Sequence, residues 1–158
     1  MLRTRRQFHF IDVGANDGWF ARTIMRFAPM VWITSYEPLL SQHSSLERSE
    51  QRYPNSHFRK KAIGDQCGSL TITKYGTSGL SSLKEISPTY EYTDHYLQSV
   101  VNKCLVDIVR LDDELVEILG GKDVELLLKI DTQGYELEVL RGAENYLRKG
   151  VFSTSQFN

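Results

Sequence analysis

Three acids stand where short apolar runs rich in β-branched and aromatic residues stop: Asp12 within Phe8 to Val13, Glu37 after Val31 to Tyr36, and Asp131 after Val124 to Ile130. Carboxylates bind hydroxyls and cations or move protons. In an open parallel sheet, ligands gather at the carboxyl ends of the strands, where the strand order reverses. Asp12 and Glu37 stand near the roughly 20-residue separation expected between a glycine turn and the acid that holds ribose hydroxyls at the end of the next strand. A ribose-bearing cofactor is the first expectation.

Charge narrows the choice of cofactor. The turn Gly14-Ala15-Asn16-Asp17-Gly18 sits beside Asp12 and adds Asp17. A dinucleotide would bring a doubly negative pyrophosphate to this point. Each carboxylate would repel it by about 1 kcal/mol at roughly 4 Å even in water. S-adenosylmethionine carries no phosphate. Its sulfonium and ammonium suit acidic side chains, and the amides of the Gly14 to Gly18 turn are expected to take its carboxylate.

Elements must place these groups. Phe20, Ile24 and Phe27 follow the glycine turn at helical spacing, and Pro29 ends the pattern. A polar helix is expected from about Ser41 to Arg52, a third strand from His57 to Ile63, and an antiparallel strand from Ser69 to Thr73. Residues 76–98 lack a period and read as a long loop; Cys104 to Arg110 reads as another strand. Leu111-Asp112-Asp113-Glu114 opens a helix with acids in its first turn, closed by Gly120-Gly121. After Gly134 one helix is expected to run to about Lys149, with Leu137, Leu140 and Leu147 on its core stripe. Strands alternating with helices predict an α/β fold with a mostly parallel sheet and helices on both faces.

Nineteen Lys and Arg against twenty Asp and Glu argue against a surface built for nucleic acid. No apolar run reaches the roughly 18 residues of a membrane span, and no secretory h-region precedes the glycine turn, so a cytoplasmic protein is expected. Arg3, Arg5 and Arg6 read as a solvated tail, and Cys67 and Cys104, without CxxC spacing, as buried reduced thiols. His9, His43, His57 and His95 show no ligand spacing, and no metal is expected. Tyr90, Tyr92 and Tyr96 could contact an acceptor, although such residues more often pack a loop.

Five blocks in order, IDVGANDG at 11–18, YEP at 36–38, AIGD at 62–65, RLDDEL at 110–115 and LLKIDTQGYELEVLRGAE at 127–144, resemble the FkbM-type methyltransferases within the class I S-adenosylmethionine-dependent enzymes. The resemblance implies a Rossmann-like sheet and the cofactor S-adenosyl-L-methionine. It also implies O-methylation of a hydroxyl on a sugar, lipid or secondary metabolite, with a small-molecule acceptor as partner. It implies that Asp12, Gly14, Asn16 and Gly18 line the methionine half of the cofactor, that Glu37 holds the ribose hydroxyls, and that Ile63 and Asp65 border the adenine. Asp131 would face the acceptor as base or orienting group. Gln133 stands where the family pattern usually has a second acid.

Against the complete fold of that class, with strand order 3-2-1-4-5-7-6, residues 1–158 read as one domain whose last strands are missing. An open sheet edge would then favour self-association. Two other functions compete: a nucleotide-binding oxidoreductase on a similar sheet, and a non-catalytic, truncated cofactor-binding fragment.

Overall fold

The structure, a computed structural model, describes residues 7–75, 81–82, 100–122 and 124–153. Five strands form an all-parallel sheet: β1 (Phe8–Val13), β2 (Trp32–Tyr36), β3 (Ser56–Arg59), β8 (Glu125–Ile130) and β9 (Phe152–Ser153), in the order β3-β2-β1-β8-β9. A second sheet has the order β4-β7-β5-β6, built from β4 (Ala62–Gly64), β5 (Gly68–Tyr75), β6 (Ser81–Ser82) and β7 (Val100–Arg110). In it β4 runs parallel to β7, and β5 runs antiparallel to both β6 and β7.

Side chains alternate across β1, so one strand feeds two cores. Phe10 packs with Ile33 and with Ala21 and Met25 of helix α1 (Trp19–Phe27). Ile11 and Val13 join Ile63, Ile72 and Ile108 of the second sheet, together with Leu111 and Leu115 of α3 (Leu111–Leu119) and Val139 of α4 (Glu136–Gly142). Each buried Leu or Ile contributes roughly 1.5–3 kcal/mol, so this larger core carries most of the apolar stabilisation. Helix α2 (Leu40–Arg52) closes a small third cluster through Leu46 with Ala15 and Phe58. A fifth helix, α5, covers Glu144–Arg148.

Several sequence expectations change. The strand expected over 57–63 is two strands in two sheets, parted at Lys60 and Lys61, and the three successive cations there reach three different acids. Arg59 pairs with Glu117, Lys60 with Glu47 and Lys61 with Glu114. The last helix breaks at Ala143, where the buried Asp112 carboxylate accepts the amides of Asn145 and Tyr146 and so caps α5 from another element.

Its leucine stripe is not core: Leu137, Leu140 and Leu147 are 53%, 38% and 37% exposed. Val139, Gly142 and Ala143 face inward instead. The approach there is too close for leucine, since even a Cβ on Gly142 would lie 2.0 Å from the Gly64 carbonyl oxygen. On α1 the inward face centres on Ala21 and Met25, leaving Phe27 at the exposed end. Cys67 is exposed, its thiol 3.5 Å from Asp113 Oδ2.

Most of 76–98, including the tyrosines and His95, lies outside the described residues, as do Arg3, Arg5 and Arg6. Among the described residues no helix is long and apolar enough to cross a membrane.

Candidate functional site

The chain leaves β1 through a turn made of left-handed residues: Gly14 at φ 76°, Asn16 at φ 51° and Gly18 at φ 80°. Gly14 is obligatory because a Cβ there would lie 2.0 Å from the carbonyl oxygen of Asp131, at the tip of β8. The strand order reverses between β1 and β8, so this contact marks the topological switch point.

The turn's amides face inward. Gly14 and Ala15 both donate to the Tyr36 carbonyl at 3.1 Å, Gly18 donates to Ala15, and Asn16 donates to Glu37 Oε2 at 2.9 Å. Four of the five amides expected to receive a ligand's carboxylate are therefore engaged within the protein. The left-handed dihedrals turn them towards the tip of β2.

Glu37 is buried, and its second oxygen accepts the Leu39 amide at 2.9 Å. Each of its oxygens thus holds one backbone donor and keeps acceptor capacity. Burial pushes the Glu37 carboxyl above its usual range, against the pull of the two amides.

Asp12 has no exposed surface. The parallel register places it directly beside Lys129 on β8, and the ammonium stands 2.9 Å from Asp12 Oδ1. No well-angled hydrogen bond reaches either carboxylate oxygen, and the neighbouring buried Ser35 hydroxyl is equally unpartnered. Burial raises the Asp12 carboxyl, Lys129 opposes that, and Asp131 adds to it.

Asp17 lies outside this row, tied to Arg22 at 2.8 Å. Arg22 and the Trp19 amide outweigh its burial and hold it below the usual range. The two early acids therefore do not present a bare double negative charge, because each has its own cation.

Asp131 is exposed. Its Oδ1 accepts from Gln133 Nε2 at 3.1 Å, and its Oδ2 lies 3.9 Å from Lys129. Gln133, left-handed at φ 54°, thus supplies a donor where a second acid would repel Asp131. Glu136 folds back onto the amides of Thr132 and Gly134. Burial would raise its carboxyl, but these donors hold it low.

Ile63 is only 1% exposed and sits in the larger core, while Asp65 offers its carbonyl to Arg110 at 2.8 Å. Asp12, Gly14, Asn16, Gly18, Glu37 and Asp131 are brought together; Ile63 and Asp65 stand on the second sheet. Among the described residues no group of three or more His, Cys, Asp or Glu could hold a metal.

A hollow of about 230 Å³ lies between β1–β3 and α3, lined by His9, Trp32, Thr34, His57, Arg59 and Lys122 among others. Trp32 and His57 stack in its wall at 5.5 Å, and His9 bonds Thr34 at 2.8 Å. Arg59 pairs across it with Glu117 at 3.4 Å.

The family model described as "Methyltransferase FkbM domain" matches residues 12–157, from the first site acid to one residue short of the end. The chain belongs to this FkbM methyltransferase family. A Beauveria bassiana protein named Methyltransferase 1 is 29% identical over 147 residues, which is 85% of this chain and 58% of that protein. The AMB antimetabolite synthetase AmbE of Pseudomonas aeruginosa is 27% identical over 161 residues, 85% of this chain but 8% of the synthetase. This FkbM chain therefore spans little more than half of the one relative and a small part of the other. The crystal structure of Methyltransferase FkbM from Methylobacillus flagellatus superposes with a TM-score of 0.59 at 15% identity, covering 90% of this chain and 30% of that one, which shows the shared fold.

Sequence reasoning missed Lys129, Asp112, Glu136 and the Gly64–Gly142 contact. All lie inside the five blocks that resemble the family. For Lys129 the available signal was a lone cation inside the most apolar run of the chain.

Proposed function

We propose that this chain forms the donor side of an S-adenosylmethionine-dependent methyltransferase acting on a hydroxyl of a sugar, lipid or secondary metabolite. The observation that carries the reading is the meeting of three carboxylates, Asp12, Glu37 and Asp131, at the tips of β1, β2 and β8 around a turn in which Gly14 admits no side chain. We read residues 1–158 as one domain.

The donor fits the residues present on two counts. Glu37 keeps lone pairs for a pair of ribose hydroxyls after accepting two amides. Ser35 carries a buried hydroxyl with no hydrogen-bond partner beneath the turn, a cost normally retained where it serves a function. When bound, the donor supplies a methyl group on a sulfonium, which an acceptor oxygen displaces.

In this reading Gly14, Asn16 and Gly18 line the methionine half, with Asp12 behind Lys129. Ile63 and Asp65 border the adenine through their backbone. Asp131, exposed and held by Gln133, orients the acceptor hydroxyl or takes its proton. Orientation at reacting distance can supply several kcal/mol, and a general base a further 10²- to 10⁴-fold by the usual magnitudes. A dinucleotide is less well served, since a pyrophosphate needs free amides at the start of α1 and four of the turn's five are engaged.

Isothermal titration with S-adenosylmethionine, S-adenosylhomocysteine and NADH tests the reading. Binding of both sulfur nucleosides and not of NADH is expected; NADH binding with no response to either nucleoside overturns it. Asp131→Asn should leave nucleoside affinity unchanged and lower turnover at least 10²-fold once an acceptor is in hand. Unchanged turnover removes Asp131 from the chemistry.

A further inference from the structure

Resting on the donor reading above, we infer that Lys129 receives the carboxylate of the sulfur-nucleoside donor and that Asp12 is its buried counter-ion rather than a ligand contact. Most of the turn's amides are unavailable for a carboxylate: those of Gly14, Ala15, Asn16 and Gly18 all donate within the protein. Arg22, the cation in the first turn of α1, is committed to the carboxylate and carbonyl of Asp17 and to Ser45.

Lys129 is different. Its side chain is 24% exposed, whereas that of Asp12 is sealed beneath it. An ammonium has three N–H donors. One goes to the Gly14 carbonyl at 3.0 Å, and one at most goes to Asp12. Asp131 Oδ2, at 3.9 Å, is too far to claim the third. That donor emerges beside the left-handed turn, where the methionine half is expected.

The scaffold holds the charge in place. Parallel register sets Lys129 next to Asp12, and the Phe20 ring lies 5.5 Å from the ammonium, within cation–π range. The buried carboxylate anchors the ammonium at 2.9 Å, and the lysine meets the ligand.

S-adenosylhomocysteine carries the amino-acid carboxylate, and 5′-methylthioadenosine is a similar thioether without it. Titration of wild type, Lys129→Met and Lys129→Arg with both separates their contributions. Lys129→Met should weaken S-adenosylhomocysteine by about 10- to 100-fold, the usual worth of a charge-assisted hydrogen bond, and leave 5′-methylthioadenosine unchanged; Lys129→Arg should restore most of the loss.

Lys129→Met strands a buried Asp12 charge and can fail to fold. The double variant Asp12→Asn with Lys129→Met removes both charges together and should show the same selective loss. Equal weakening of both ligands, or no weakening of either, overturns the assignment. Wild-type binding of neither ligand refutes the donor reading itself.

Discussion

Replacing Gly14 by alanine tests the contact that brings the site together. Two penalties apply: a Cβ at φ 76° costs about 1–2 kcal/mol, and forcing it to within 2.0 Å of the Asp131 carbonyl costs a further 1–3 kcal/mol of overpacking, about 2–5 kcal/mol together. Gly120→Ala isolates the first penalty, because Gly120 caps α3 at φ 51° with nothing within 4 Å of a new Cβ. Both variants also restrict the unfolded chain by the same glycine-to-alanine change, so that effect cancels in the comparison. Gly142→Ala isolates the second penalty: the residue lies within α4 without a left-handed φ, and its Cβ would meet the Gly64 carbonyl at 2.0 Å. Urea unfolding followed by Trp19 and Trp32 fluorescence should place Gly14→Ala about 1–3 kcal/mol below Gly120→Ala, a midpoint difference of about 1 M. Equal midpoints for the two would refute the close approach of β1 to β8 and the geometry of the switch point with it.

His9 is buried, and burial, followed by the nearby charges of His57 and Lys122, lowers it from 6.5 to about 4. The unfolded chain takes up that proton near pH 6.5 and the folded chain only near pH 4, so its contribution is complete above about pH 6.5 and is lost as pH falls. Between about pH 7.5 and about pH 5 wild type should lose roughly 2 kcal/mol that His9→Gln does not, and parallel urea curves for the two would count against it. Asp112→Ala should cost about 1–3 kcal/mol by releasing the Asn145 and Tyr146 amides and the Arg110 guanidinium, and hydrogen exchange should speed first in α5. Glu37→Gln sets an amide N–H₂ against the Asn16 or Leu39 amide; it should lower stability by about 1–3 kcal/mol and weaken binding of adenosine as well as of S-adenosylhomocysteine. Retained adenosine affinity would detach Glu37 from the ribose.

The order of elements and the chemical identity of the strand tips were legible in the chain itself. Period changes at Val13 and Ile130, the glycines at 14 and 18, and Pro29 are signals contained in a few residues, and the structure carries strand, turn and helix at each place. Glu37 and Asp131 sit where their apolar runs end. What a side chain does once there was decided elsewhere. Asp12 and Lys129 are far apart in sequence and meet only because β1 and β8 pair in one parallel register. The inward face of α4 is Val139, Gly142 and Ala143, because Gly64 must pass within touching distance, although helical periodicity alone favours the leucines. The run over 57–63 divides between two sheets, and its three cations meet acids on two different helices, α2 and α3. Periodicity and turn chemistry act within a few residues and are written in the chain; register, close approach and ion pairing depend on partners contributed by distant segments, and only the packed structure selects them.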